Sequence, residues 1–450
     1  MLVSVITHPE QIVPSLPYAD ALEYRLDFLK EVPDAPLPRL FTFRKKGQGG
    51  ALDISEEERL TRLEKILELE PEYCDLETET DPIWIKKLAK KFPKTQFIGS
   101  YHNFSETPED LETLFQSMQR PEFSYYKIAV HAKTTSDMLR LFACVRTKPN
   151  LAWVSMGKAG QASRVLASLT GSPFSYGTLL EETPPLFQIN LQTLTGLYRT
   201  PTLNRETKIY ALLGNPVDAS IGHIYHNRVF AETNVNAVYV KFPVLAEELQ
   251  EVFNHLKLLP FAGISITMPY KRDVIPLLDA LHPDAEAIGA VNTIRFENGK
   301  AYGYNTDGIG AADALEKHMQ LKDKKVALLG AGGASRAIAF ELIRRGAKVT
   351  LFNRTFETAE KLAAHFQCQA AHFENFHRER FDLWINTVPS QYELPVDLSV
   401  IPFSPFVMDI AVSQNPSPLL LKASSQGSQP IEAKEMFCEQ AKQQQIIWAS

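Results

Sequence analysis

The chain has little cysteine: Cys74, Cys144, Cys368 and Cys438 are scattered through 450 residues, and none falls in a CxxC or Cys/His spacing. That scatter argues against a disulfide framework and a structural zinc site, and fits a reducing cytoplasm. Long apolar runs are lacking too, so no stretch is long enough to span a bilayer. The first residues run straight into a strand-like segment, Leu2 to Thr7, and do not read as a secretory leader. An excess of positive charge is also missing. With 47 Lys and Arg against 53 Asp and Glu, the net charge is -6, which leaves no basic footprint for nucleic acid. Any anionic substrate must be held by a local cluster of Arg and Lys. What remains is ordinary globular composition, 44% hydrophobic and 22% charged, in a chain long enough for two or three domains.

Eight short β-rich runs occupy the first half: Leu2–Thr7, Ala21–Asp27, Leu40–Arg44, Tyr73–Thr78, Gln96–His102, Tyr125–His131, Leu151–Gly157 and Pro173–Leu179. Amphipathic helical stretches separate most of them, with Ser55, Thr107 and Thr134 as capping residues ahead of 55–69, 108–120 and 134–146. Regular alternation of strand and helix predicts parallel sheet. Eight units and a closing helix over 190–199 match a (β/α)8 barrel.

A barrel builds its active site from the C-terminal ends of its strands. Those ends are rich in ionisable residues: Glu23, Arg25 and Asp27, then Arg44, Asp75 and Glu77, His102, and Lys127 within the sixth run. One strand-end charge is commonly a rim ion pair; recurrence over five strands points to convergence on one pocket. Lys127 interrupts the apolar run 123–130, so its amine is expected in a desolvated wall. Burial disfavours the charged amine, and a neutral lysine can attack a ketone to form a Schiff base. The ordinary alternative is a lysine that snorkels to solvent. His102, one unit earlier, can remove a proton from the carbon beside an iminium, and Arg44 and Arg164 can clamp a carboxylate.

These segments, Glu23 to Asp27, Phe41 to Arg44, Ser100 to Phe104, Pro121 to Ala129, and Met156 to Arg164, resemble type I 3-dehydroquinate dehydratase in order and spacing over roughly residues 1 to 200. The resemblance implies that Lys127 forms the imine and that His102 is the general acid and base. It also implies that Ser4, Glu23, Arg25, Arg44, Arg164, Thr183 and Gln188 bind substrate. The loop Glu181 to Gln188 departs from the family's usual Ser-Ala-Pro-Gly-Gln and is one residue longer.

A polar, Pro-containing stretch over 198–207 reads as a linker, with the boundary near 204. Alternation resumes with Ile209–Leu213, a helix from about His223, Ala237–Phe242, a helix from Leu245, Gly263–Met268 and a helix from Tyr270. A further buried strand, Lys324 to Leu329, runs into Gly330, Ala331, Gly332, Gly333, Ala334 and Ser335, followed by a helix to Arg345. Glycines there let the backbone approach a pyrophosphate at a helix N-terminus. Ser335 stands where that fingerprint prefers Gly or Ala. The next strand, Lys348 to Phe352, ends in Asn353, Arg354 and Thr355 and not in an acidic residue, so the expected cofactor is NADP and not NAD. Lys271, just past a strand end, and Asp307 can together pass a proton to a carbonyl oxygen as hydride arrives.

The motifs Gly214 to Pro216 with Ser220 and His226-Asn227, Ile266 to Lys271, Gly289 to Thr293, Asn305 to Gly308, Gly330 to Arg336, Asn353 to Thr355, and Met436 to Gln440 resemble shikimate dehydrogenase over about 208 to 450. The resemblance implies that Ser220, Thr267, Asn292, Asp307 and Gln440 bind substrate and that Lys271 and Asp307 carry catalysis. The expected architecture is α/β throughout. A barrel over 1–203 precedes an open substrate domain over 208–308 and a Rossmann-like NADP domain over 309–450, whose last helix returns toward the substrate domain. The expected partners are small molecules of the shikimate pathway: 3-dehydroquinate, 3-dehydroshikimate and shikimate. Gly222 replaces a second substrate-binding serine, Val412 a tyrosine and Ala433 a glycine. These departures leave open a quinate-directed dehydrogenase, and a regulatory homologue without chemistry is a third reading. Retention of Lys127, His102, Lys271 and Asp307 argues against the latter.

Overall fold

The computed structural model describes residues 1–179, 188–388, 394, 403–410 and 416–450. It divides into two compact units, Met1–Ile209 with Asn227–Pro260, and Tyr210–His226 with Phe261–Ser450.

In the first unit, eight parallel strands form one sheet: β1 (Leu2–Ile6), β2 (Ala21–Arg25), β3 (Arg39–Thr42), β4 (Tyr73–Glu77), β5 (Gln96–Asn103), β6 (Phe123–His131), β7 (Leu151–Met156) and β8 (Ser175–Gly177). Their order is β7-β6-β5-β4-β3-β2-β1-β8, and the two end strands approach each other, so the sheet is a nearly closed barrel. Side chains two apart share a face of a strand, and this alternation sorts the interior into layers. The base is apolar: Val3, Ala21, Leu40, Ile98, Ala152 and Phe174 pack with Tyr73 and Tyr125. Tyr73, Tyr125 and Phe174 meet edge-on or tilted, with ring centroids 5.2 to 6.3 Å apart. Two residues further along the same faces stand Glu23, Thr42, Asp75, Ser100 and Lys127. Two further still stand Arg25, Arg44, Glu77 and His102. The barrel thus changes from hydrocarbon to charge toward the C-terminal ends of its strands.

Ser4 has the opposite parity to Val3 and Val5 and therefore faces away from the interior. Its hydroxyl lies 2.7 Å from Ser15 Oγ on the short helix Ile12–Ser15, which corrects its expected place among the substrate ligands. The helix Glu56–Ile66 is capped by Ser55 and Thr135–Val145 by Thr134, as predicted. The cap of Leu111–Met118 is Asp110, whose carboxylate accepts from Thr113 N, while Thr107 instead donates to His131 O at 3.0 Å. The expected closing helix is a π-helical turn, Thr193–Leu197.

β9 (Lys208–Gly214) leads into the second unit, and β10 (Ala237–Pro243) belongs to the first. The second unit continues with β11 (Phe261–Ile266), β12 (Ala280–Leu281), β13 (Thr293–Glu297) and β14 (Lys300–Tyr304). β13 pairs antiparallel with both β11 and β14, and β12 pairs parallel with β14. The helix expected from Tyr270 is absent: turns follow Pro269, and only a single 3-10 turn, Ile275–Leu277, forms. Its second residue, Pro276, lacks the N–H that a longer helix would need.

A second sheet holds β15 (Lys325–Leu329), β16 (Lys348–Phe352), β17 (Gln369–Ala371), β18 (Leu383–Asn386), β19 (Phe406–Asp409) and β20 (Gln429–Glu432). All its pairs are parallel, and the order is β17-β16-β15-β18-β19-β20. This is the doubly wound order in which a dinucleotide binds where the strand sequence reverses, here between β15 and β18. The chain ends in the helix Ala433–Ala449. Among the described residues no helix is long and apolar enough to cross a membrane.

Candidate active sites

In the barrel, Lys127 is only 5% exposed, which excludes the snorkelling alternative. Its amine lies 3.4 Å from Asp75 Oδ2 and 3.5 Å from Glu23 Oε1, and 4.1 Å from the centroid of the Tyr176 ring. The wall around it is therefore not apolar alone; two carboxylates face the amine. Ser100 is the register partner of Lys127 across β5 and β6, and His102 stands two residues beyond it on the same face.

The His102 ring contacts Gln48, whose Oε1 is 3.1 Å from Nδ1. With Oε1 accepting at this contact, the proton is on Nδ1 and Nε2 is left as a base. Burial, and after it the cations Arg44 and Lys127, hold the imidazole well below its ordinary pKa, so it is neutral near pH 7. Burial works against charge on Asp75, but Arg44 and Lys127 outweigh it and hold the carboxyl well below the usual carboxylate range.

Arg44 lies at the hub of this network. Its Nη2 donates to Asp75 at 2.8 Å, and its Nη1 donates to Glu77 at 3.1 Å and to Ser100 Oγ at 2.8 Å. Both terminal nitrogens thus already have protein partners. Arg25 is likewise engaged bidentately by Asp27, at 2.9 and 2.7 Å, and donates to Gly49 O. Glu23 accepts from Thr42 at 2.6 Å. Arg164 is buried on the short helix Ser163–Leu166, donates to Ser155 O at 2.8 Å, and is pushed down to about 10 by burial. Gln188 is half-buried, and Thr183 lies outside the described residues. Sequence reasoning missed Gln48, Ser100 and Tyr176; the period-2 spacing of Ser100 and His102 was the available signal for one of them.

In the second unit, Lys271 Nζ lies 2.6 Å from Asp307 Oδ2. Asp307 is the first residue of the helix Asp307–Glu316, where its charge suits the helix dipole. Its backbone N–H donates to Asn305 Oδ1 at 3.0 Å. Asn292 Nδ2 donates to Asp307 Oδ1 at 2.8 Å and to Thr306 Oγ1 at 2.9 Å. Gln440, on the C-terminal helix, approaches the same pair, with its Oε1 3.2 Å from Thr306 Oγ1. Thr267 and Ser220 are half-buried; Ser220 Oγ accepts from the N–H of Gly222, the first residue of the helix Gly222–Glu232. Ala433 opens the last helix, and Val412 lies outside the described residues.

The glycine turn lies beside this pair. A Cβ on Gly333 would meet the Lys271 stem at 3.5 Å, and one on Gly332 would meet nothing within 4 Å. Gly330 has φ +108°, a conformation that side chains strain. Helix Gly333–Arg344 starts here, so its N-terminal turn, with the amides a helix leaves unpaired, lies next to the lysine, an arrangement that fits a dinucleotide pyrophosphate. The departure at Ser335 has a local cause: its buried hydroxyl lies 2.6 Å from Thr387 Oγ1, which itself donates to Leu329 O, tying the end of β15 to the end of β18. Arg354 is exposed, just past β16, with Asn353 and Thr355 on either side.

Comparison with known proteins assigns both halves of the chain. The model for type I 3-dehydroquinase matches residues 6–205, that for the shikimate dehydrogenase substrate binding domain 212–294, and that for shikimate / quinate 5-dehydrogenase 312–394. The shikimate biosynthesis protein AroDE of Chlamydia pneumoniae is 34% identical over 452 residues, covering 98% of this chain and 92% of the relative. The chloroplastic bifunctional 3-dehydroquinate dehydratase/shikimate dehydrogenase of Arabidopsis thaliana is 33% identical, covering 95% and 77%. A crystal structure of shikimate dehydrogenase in complex with NADP+ aligns at 36% identity with a TM-score of 0.52, over 55% of this chain and 91% of that one. Two enzymes' worth of ordered motifs, both sites and near full-length similarity coincide, and the chain belongs to the bifunctional 3-dehydroquinate dehydratase/shikimate dehydrogenase family.

Proposed function

We propose that this chain converts 3-dehydroquinate to 3-dehydroshikimate in residues 1–203 and reduces that product to shikimate, with NADPH, in a substrate domain over 208–308 and a cofactor domain over 309–450. One observation carries the reading: each half holds a lysine amine within ion-pair distance of a carboxylate, Lys127 beside Asp75 and Glu23, and Lys271 beside Asp307. The quinate-directed and non-catalytic alternatives are not favoured, since the matched relatives carry biosynthetic names and all four chemical residues are retained.

In the barrel, the Lys127 amine gives up a proton and attacks the ring ketone, and loss of water leaves an imine. His102 Nε2 removes a proton from the adjacent carbon while the iminium takes up the electron pair. The β-hydroxyl then leaves as water, taking a proton from His102. Hydrolysis of the imine frees the lysine, so one water is released overall. Glu23, Arg25, Arg44, Arg164 and Gln188 are the candidate contacts for hydroxyls and carboxylate. Both arginines already have protein partners, Arg44 the carboxylates of Asp75 and Glu77 and Arg164 the Ser155 carbonyl.

In the second unit, the amides after Gly332 would hold the NADP pyrophosphate, and Asn353, Arg354 and Thr355 its 2′-phosphate; when bound, NADPH supplies hydride. Lys271 donates a proton to the carbonyl oxygen, and Asp307 orients the amine and returns the proton. Ser220, Thr267, Asn292 and Gln440 are the candidate substrate contacts. A reducing cytoplasm is the compartment that fits the unpaired cysteines, which are all free thiols. The test is direct: the purified chain should consume NADPH when given dehydroquinate alone, and failure to do so rejects the two-step reading.

Two narrower outcomes follow. Replacing Arg354 with Asp should lower the preference for NADPH over NADH by roughly 10- to 100-fold, the worth of a charge-assisted contact exchanged for repulsion; an unchanged ratio of the two kcat/KM values rejects the assignment. Replacing Gln48 with Glu puts an anion beside His102 Nδ1 and stabilises the imidazolium. The folded-state pKa of His102 then rises, and the base is lost at a higher pH as acidity increases. The acid limb of dehydratase kcat/KM should therefore move upward in pH, and a limb that stays in place excludes His102 as the titrating base.

A further inference from the structure

Asn292 holds the face of Asp307 that Lys271 does not, and a side-chain amide can sit either way round. Reversed, it would turn its oxygen on the carboxylate. Its orientation is set by its neighbours: the Thr306 N–H donates to Asn292 Oδ1 at 2.9 Å, and Thr293 Oγ1 donates to the same oxygen at 2.7 Å. Thr293 is fully buried and has one hydroxyl proton. That proton is directed toward Asn292 because Thr293 Oγ1 already accepts from Gln444 Nε2 at 2.9 Å. Gln444 is fixed in turn. Its Oε1 accepts from Ser265 Oγ at 3.1 Å and from His226 Nε2 at 3.2 Å. Gln445 Nε2 donates to His226 Nδ1 at 2.7 Å, so a neutral imidazole must have its proton on Nε2. Burial lowers His226 to about 3, which keeps the ring neutral. Every link therefore has a single donor and a single acceptor assignment.

We infer that Thr293 and Gln444 are positioning residues for the reduction: a buried hydrogen-bond relay from His226 through Gln444, Thr293 and Asn292 to Asp307 keeps Oδ1 occupied, so that Oδ2 alone serves Lys271. The inference rests on the reading of Lys271 and Asp307 as the proton-transfer pair. Neither positioning residue needs to touch substrate; each acts through Asn292. Buried polar chains of this kind are effective only when every member is satisfied, because one missing partner leaves a desolvated group and a freed neighbour.

The test uses the full chain with Thr293→Val, which keeps the volume and removes the hydroxyl, Thr293→Ser, which keeps the hydroxyl, and Gln444→Met. Thr293→Val and Gln444→Met should lower kcat for dehydroshikimate reduction roughly 10- to 100-fold, while Thr293→Ser should recover to within about threefold of the parent. NADPH affinity by fluorescence titration and the dehydration rate should stay within about twofold in all three. Loss of NADPH binding along with kcat, an unchanged kcat in Thr293→Val, or a serine variant as poor as the valine one each overturns the relay. Lys271→Met separates the premises: if it still reduces dehydroshikimate normally, the proton-transfer reading fails first, whereas its inactivity beside a normal Thr293→Val removes the relay alone.

Discussion

Borohydride added during turnover of dehydroquinate should reduce an imine on Lys127, leaving one ring-sized covalent adduct on the peptide that contains it. Dehydration should then stop, while reduction of dehydroshikimate continues at the parental rate. The companion variant Lys127→Ala should lose dehydration by about 10^4-fold or more, because a covalent route depends on its nucleophile. The trapping experiment is the stronger of the two. Removing the amine leaves the Glu23 carboxylate, now 3.5 Å from it, without its cation in a buried site, while Asp75 keeps Arg44 at 2.8 Å. Breaking such a buried pair costs about 3–5 kcal/mol, so the variant also tests stability. The intact chain has no such ambiguity: recovery of unmodified Lys127 after trapping under turnover defeats the imine proposal.

Lys271→Met and Asp307→Asn should each lower kcat for dehydroshikimate reduction by about 10^2- to 10^4-fold, the range for a positioned proton donor, and leave dehydration untouched. The 2.6 Å contact between the two groups makes their effects non-additive. The double variant should be little worse than the poorer single one, because either loss already dissolves the pair. Fully multiplicative effects in steady-state kinetics would show that the two residues act independently.

The barrel strands were legible because each carries a β-rich run over an interior with period-2 spacing; β1 to β7 start and end within two residues of their expected places. The same alternation sets Ser4 aside, since Val3 and Val5 claim the interior face, whereas the resemblance implies a substrate contact there. Thr107 yields the cap to Asp110 because hydroxyl and carboxylate caps compete locally, and Asp110 stands nearer the apolar run. Gln48 gave no sign: it sits in a 3-10 turn with no periodicity, and its importance comes from a ring 54 residues away. The relay was equally invisible, because Gln444 and Thr293 are 151 residues apart and glutamine at a helix surface ordinarily faces water. Pair chemistry across a fold is written in distances, and a single chain of letters has none.

The aromatic trio at the base of the barrel has a further consequence. Tyr73, Tyr125 and Phe174 close off the passage beneath Lys127, with Phe174 fully buried. With the base filled, the charged C-terminal end of the barrel, where Arg25 and His102 stand, is the side that serves the entering ring, the expelled water and the product alike. A substituent large enough to cork that opening would trap the leaving water against the iminium, where the reverse addition competes with release.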